Sequence, residues 1–162
     1  MSEKTAADGV SERTTKHGTF VLEHTYDATP ARVFAAWADP AAKPRWFGGP
    51  DDWENEHTLD FRVGGTEWNR TKPPDGPAWT YTAAIHDIVP DRRIVYSYVM
   101  ECGDAVASVT LATVEFEPAA SGTRLVLTEQ IAFLDGLDSP DLREGGTRSL
   151  LDSLDEMLQG KR

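Results

Sequence analysis

The chain has a single cysteine, Cys102, and that scarcity excludes an internal disulfide and any cysteine-built metal site. A reducing cytoplasm is the expected location. Positive charge is also in short supply, with 16 lysines and arginines against 27 aspartates and glutamates and a formal net charge of -11. Such a chain repels nucleic-acid phosphates and anionic membrane surfaces at long range, so neither is expected as a partner. No apolar run approaches the roughly 20 residues of a membrane span. Residues 1–16 lack the apolar stretch of a secretory signal, and no membrane insertion is expected. The histidines, His17, His24, His57 and His86, are scattered without the spacing that gathers a metal on one helix face, so neither metal nor cofactor is expected. A Gly-x-Ser-x-Gly elbow is missing, Cys102 falls at an acidic hairpin tip, and no Lys-Ser or Lys-Thr follows Gly64 and Gly65 as a phosphate loop requires. The sequence therefore carries no catalytic signature, and enzymatic activity stays open.

What is present fits one domain with an ordinary core: 162 residues, 40% of them hydrophobic. Residues 1–17 mix polar and charged types without apolar period and read as a disordered leader, with a single domain over 18–160. From Gly18, Phe20, Leu22, His24 and Tyr26 alternate with polar neighbours as a strand. Thr29 before Pro30 opens a short helix with Val33, Phe34 and Trp37 on one stripe, and Asp39 before Pro40 opens another. A Gly- and Pro-rich loop follows that carries Trp46 and Phe47, two aromatics that plug something rather than face solvent. Strand patterns then succeed one another: Leu59, Phe61 and Val63; Trp68 after Gly64 and Gly65; Trp79 to Ile85; Ile94 to Met100; residues 106–117; and Leu125 to Phe133. Their spacing suits an antiparallel meander.

The last segment, residues 139–159, is the one long amphipathic helix. Ser139 and Pro140 form its start, and Leu142, Leu150, Leu151, Leu154, Met157 and Leu158 form its buried stripe. Arg143, Arg148, Asp152, Asp155 and Glu156 are assigned to water. Gly145 and Gly146 interrupt it, as a kink or frayed turn, or as a gap over a ligand cavity. A curved antiparallel sheet with one apolar face needs a cover, and this helix supplies it, giving an α+β fold of about six to seven strands wrapped round a C-terminal helix.

In this order of elements the sequence resembles the SRPBCC, START-like or helix-grip superfamily, and within it homologues of the C-terminal domain of the activator of the heat-shock-protein-90 ATPase. The residues carrying the resemblance are 28–37 after the first strand, Trp46, Phe47 and Gly48, the turn Gly64, Gly65 and Thr66, residues 89–94, and 116–127 with Gly122 and Thr123 at the turn. The resemblance spans residues 18–158. It implies a cavity between sheet and helix that in relatives takes lipids, polyketides, hormones or other apolar molecules. Two departures stand out. Relatives commonly carry a Gly-Trp pair in the last helix where this chain has Gly146 and Thr147, so the cavity is either enlarged or refilled by one of the five tryptophans. The chaperone-activating relatives also carry an additional N-terminal domain that residues 1–17 do not match, which counts against a chaperone partner.

Ligand pockets are mostly apolar with a few placed polar groups. Trp46, Phe47, Trp68, Tyr81, Tyr96 and Tyr98 are accordingly the candidate wall, with Gly146 and Thr147 above it. Polar residues on apolar faces carry more information, because burial without a partner costs a few kcal/mol. His24 and Glu129 are two such residues, either as structural side chains, as ligand hydrogen-bonding groups, or as a base and its orienting carboxylate. Three functions follow. The protein binds an apolar or aromatic, lipid or polyketide-like molecule; or it is a cyclase- or hydrolase-like enzyme on such a substrate; or it is a stress-response interaction module. A monomer or weak homodimer is expected.

Overall fold

Alternation of apolar and polar side chains makes the first strand, β1 (Thr15–Tyr26), which turns Phe20, Leu22 and Tyr26 inward and leaves Val21, Glu23 and Thr25 exposed. The computed structural model describes residues 13–162, so residues 1–12 of the expected leader lie outside the described residues. The strand starts ahead of the expected Gly18. Thr15 pairs with Leu134 and His17 with Ala132, while Asp135 accepts hydrogen bonds from the Thr14 N–H and the Arg13 side chain, each at 3.0 Å.

Helix α1 (Pro30–Ala38) begins as its residues require, with the Thr29 hydroxyl accepting from Arg32 N and Pro30 in the first turn. The expected second short helix is only a 3-10 turn, Lys43–Arg45. Proline at 44 has no N–H to continue a helix, and the Asp39 carboxylate captures the Ala41 N–H at 2.9 Å. Next come β2 (Glu54–Leu59), β3 (Thr66–Lys72), β4 (Trp79–Val89), β5 (Arg93–Cys102), β6 (Ala105–Ala119) and β7 (Gly122–Leu134). Phe61 and Val63 do not continue β2 as their alternation implied. The chain folds back over residues 60–65, where Phe61 packs edge-on against Phe34 and Val63 is exposed. Gly65 permits this fold, because a Cβ there would stand 2.1 Å from the Asp60 carbonyl.

The seven strands form one antiparallel sheet in the order β1-β7-β6-β5-β4-β3-β2. Helix α2 (Pro140–Leu158), capped by the Ser139 hydroxyl on Leu142 N and continuous through Gly145 and Gly146, covers its inner face together with α1, whose Phe34 and Trp37 pack on Phe116 of β6. The fold is therefore the α+β helix-grip arrangement. Among the described residues no helix is long and apolar enough to cross a membrane.

Along α2 the interior has two halves. Beneath its C-terminal half, Tyr26, Val33, Val114, Leu125 and Leu154 are all fully buried, and the Tyr26 hydroxyl donates to the Leu151 carbonyl at 2.9 Å. That half is a filled core. The N-terminal half instead stands over open space.

Candidate functional site

The open space is a cavity of about 490 Å³ between the inner face of the sheet and the first half of α2. Its volume falls in the range of roughly 300–1,000 Å³ usual for small-molecule sites. Strand alternation supplies the wall, because every second residue of β4 and β5 points inward: Tyr81 from β4, and Tyr96, Tyr98 and Met100 from β5. The loop after the 3-10 turn adds Trp46, Phe47 and Trp53, and α2 contributes Gly146, Thr147 and Leu150. This loop is tied down by one side chain. Asn55 Oδ1 accepts from Gly49 N, and its Nδ2 donates to the Pro50 and Trp53 carbonyls, at 2.9 to 3.1 Å. The rim facing α2 is thus pre-formed.

The cavity gathers all of the expected wall residues except Trp68. On β3 the inward residues are Glu67, Asn69 and Thr71, so Trp68 lies on the opposite face. The reason is register, since a strand begun one residue earlier or later shows its other face to the core. The turn over residues 60–65 sets it, and Asn69 and Thr71 line the cavity in place of the tryptophan. The expected partnership of His24 with Glu129 does not form either. Glu129 lines the cavity and is buried, but β1 places Phe20 opposite Glu129 and His24 opposite Leu125. The His24 ring stacks on Tyr26 at 4.2 Å, with Nε2 3.5 Å from Asp152 and 3.9 Å from Asp155 on α2. It is a clamp on the filled half of the core.

Glu129 has other company. Its Oε1 accepts from the Tyr98 hydroxyl at 2.8 Å, and that hydroxyl accepts from Arg143 Nη1 at 3.0 Å. Arg143 reaches down from α2 and is only 7% exposed, although its charge had assigned it to water. It donates to Asp138 through Nε at 3.1 Å and Nη2 at 2.8 Å, and to the hydroxyls of Thr110 and Ser108 on the inner face of β6. Helical spacing carried the signal for this, because 143, 147, 151, 154 and 158 form one stripe, whereas the expected Leu142 is 72% exposed. Burial raises the Glu129 carboxyl above its ordinary pKa, outweighing the Tyr98 hydrogen bond and the Arg143 charge that pull the other way. Burial likewise pushes up the phenols of Tyr81, Tyr96 and Tyr98, so all three stay protonated.

A second buried polar cluster stands behind the aromatic wall. Lys43 Nζ lies 2.9 Å from both Glu67 oxygens, and His57 Nε2 lies 2.7 Å from Oε2. The ammonium also sits 4.5 Å from the centre of the Phe47 ring and 5.0 Å from that of Trp37. Burial would raise the Glu67 pKa, but Lys43 and His57 together bring it below the ordinary carboxylate value. The cluster anchors Phe47 and fixes the wall. Sequence reasoning missed it, since its members lie on three separate segments.

Two wall residues hold buried donors with no hydrogen-bond partner among the described residues, Trp37 Nε1 and the Tyr81 hydroxyl. Each costs about 1–3 kcal/mol. Among the described residues no three His, Cys, Asp or Glu side chains come together as metal ligands.

Residues 27–159 match the family model described as Activator of Hsp90 ATPase homolog 1-like protein. Two similar solved structures come from rhizobia. A protein from Rhizobium leguminosarum is 43% identical with a TM-score of 0.87, covering 92% of this chain and 99% of its own. Protein Mll3558 from Rhizobium loti is 48% identical with a TM-score of 0.81, covering 88% and 97%. An AHSA1-like protein from Aeromonas hydrophila, at 21% identity and a TM-score of 0.67 over 90% of this chain and 96% of its own, shares the fold. No curated protein matches.

Proposed function

The chain belongs to the Activator of Hsp90 ATPase homolog 1-like family, and from that membership and the cavity we propose that it binds an apolar or aromatic small molecule, lipid or polyketide-like, beneath α2. The observation that carries this reading is the unfilled, aromatic-walled space whose lining holds the unpartnered Tyr81 hydroxyl. A packed core does not leave such a volume, because interiors pack to crystal-like density. A cytoplasmic location and a monomeric or weakly dimeric state go with this reading.

A ¹H–¹⁵N NMR titration with fatty acids, flavonoids and aromatic polyketides tests it. Saturable shifts confined to Gly146, Thr147 and the indoles of Trp46 and Trp53 are expected. Unmoved signals across all three classes would defeat the reading.

Two other readings each rest on one observation. The buried Glu129 carboxyl in the cavity favours cyclase- or hydrolase-like chemistry, which requires that Glu129→Gln abolish turnover of a polyketide-type substrate. Val21, Val109 and Leu111, 53%, 44% and 43% exposed on the outer sheet face, favour a protein-interaction module. That module predicts partner binding lost in Leu111→Glu with the cavity intact.

A further inference from the structure

The cavity floor has a definite polarity. Arg143 spends its guanidinium on Asp138, Tyr98, Thr110 and Ser108, so its donors point to protein oxygens and its charge is matched by Asp138. The Tyr98 hydroxyl donates to Glu129 Oε1, which leaves Oε2 of Glu129 without a protein partner among the described residues. An anionic ligand reaching this end would be buried beside a carboxyl group, with no free cation among the described residues to balance it. A carbonyl oxygen meets no such penalty, provided that the carboxyl carries its proton on Oε2.

On the reading that the cavity takes an apolar ligand, we propose that Glu129 is its polar anchor, donating a carboxylic-acid O–H to a ligand carbonyl oxygen and so selecting uncharged ketone-type molecules over carboxylates. The elevated pKa of the buried Glu129 agrees with this, since it enlarges the pH range over which the acid form persists. The titratable and charged groups facing Glu129 are Tyr98 and Tyr96 from β5, Tyr81 from β4 and Arg143 from α2, with Asp138 behind the arginine. Its neighbours in register, Phe20 on β1 and Ala112 on β6, bring no charge. Of these groups, Glu129 is the carboxyl whose acid form burial favours, while burial holds the three phenols protonated and Arg143 keeps its charge. Lowering the pH therefore strengthens ketone binding, and raising it through the Glu129 titration weakens it.

Three matched probes test the assignment: acetonaphthone, which offers a carbonyl; ethylnaphthalene, which has the same shape without oxygen; and naphthoate, which is anionic. Binding is followed by the tryptophan indole signals across pH in the wild type, Glu129→Gln and Glu129→Leu. In the wild type at the acid end, acetonaphthone is expected to bind about tenfold more tightly than ethylnaphthalene, as one buried hydrogen bond implies. Naphthoate is expected to be weakest at neutral pH. Glu129→Gln keeps an N–H donor, so it should hold the ketone preference while losing its pH dependence, and Glu129→Leu should lose the preference. Equal binding of ketone and hydrocarbon, or tightest binding of naphthoate, overturns the anchor and leaves the cavity reading standing. Failure of all three probes to move any indole overturns the cavity reading and the anchor with it. Carbon-detected titration of the Glu129 carboxyl in the ligand-free protein gives a second readout. A midpoint at or below the ordinary glutamate value overturns the proposal whatever the probes do.

Discussion

Arg143 is the side chain on which the N-terminal half of α2 depends, and Arg143→Met tests this without leaving a large void. The substitution removes one member of a buried pair, for the side chains of Arg143 and Asp138 are 7% and 13% exposed. It also strips the Tyr98, Thr110 and Ser108 hydroxyls of a charged neighbour. Removing one partner of a buried ion pair costs about 3–5 kcal/mol. Asp138 keeps the Ser139 N–H at 2.8 Å, which places the expected loss at the lower end, about 3 kcal/mol. For a domain of this length each kcal/mol moves the melting temperature by roughly 2–4 °C, so a fall of about 10 °C is expected. Urea unfolding followed by tryptophan fluorescence measures the loss, and Asp138→Asn closes a double-mutant cycle. The double variant should be more stable than the two single losses summed, by about 1 kcal/mol or more, because the second change removes the charge orphaned by the first. A loss under about 0.5 kcal/mol, or strict additivity, would refute the view that this pair holds α2 over the cavity.

Gly145→Ala should stabilise the protein by about 0.5–1 kcal/mol in the same urea assay, because α2 is continuous there and a Cβ meets nothing within 4 Å. A loss would mean that glycine is needed for a helix distortion. Tyr81→Phe should leave stability unchanged or raise it by about 1 kcal/mol, since the hydroxyl it deletes has no partner among the described residues. A drop would reveal one. Glu67 is held below its ordinary pKa by Lys43 and His57, against the upward pull of burial, so its stabilisation is present above the unfolded-state value and lost as pH falls through the folded one. Glu67→Gln should flatten that acid limb and cost about 3 kcal/mol at neutral pH, read as the urea midpoint against pH. Glu129 has the opposite sign. Its raised folded pKa means stability falls as pH rises through it, and Glu129→Gln should remove that slope; an unchanged slope would count against the burial argument.

The sheet and its cover were legible because they rest on periodicity. Phe20, Leu22 and Tyr26 on β1, and Leu125, Leu127, Ile131 and Phe133 on β7, alternate cleanly and are all buried. The cap at Ser139 and Pro140 likewise announces α2. What periodicity does not carry is register between segments. Phe61 and Val63 continue the pattern of Leu59, yet the chain turns at Asp60, and the same turn sends Trp68 to the outer face. Charged side chains misled in a related way. Arg143 reads as solvated only when taken alone; it is buried because Asp138 precedes it by one turn and Tyr98, Ser108 and Thr110 arrive from two distant strands. Lys43, His57 and Glu67 are the same case, assembled from three segments that share no local pattern.

The departure at Thr147 joins these observations. A tryptophan commonly follows the helix glycine in the relatives that the sequence resembles, and an indole there would stand over the cavity. Here Thr147 turns its hydroxyl back to the Arg143 carbonyl at 2.9 Å and lines an open volume. Trp37, Trp46, Trp53 and Trp79 also line that volume, yet about 490 Å³ remains among them. They build the wall without replacing the missing plug. The first half of α2 therefore cannot be held down by apolar packing as the second half is by Leu151, Leu154 and Leu158. Arg143 fills that mechanical role with hydrogen bonds, reaching past the empty space to β5 and β6. A helix fastened by packing at one end and by a polar strut at the other keeps its position while leaving room beneath, which is what a ligand cavity needs.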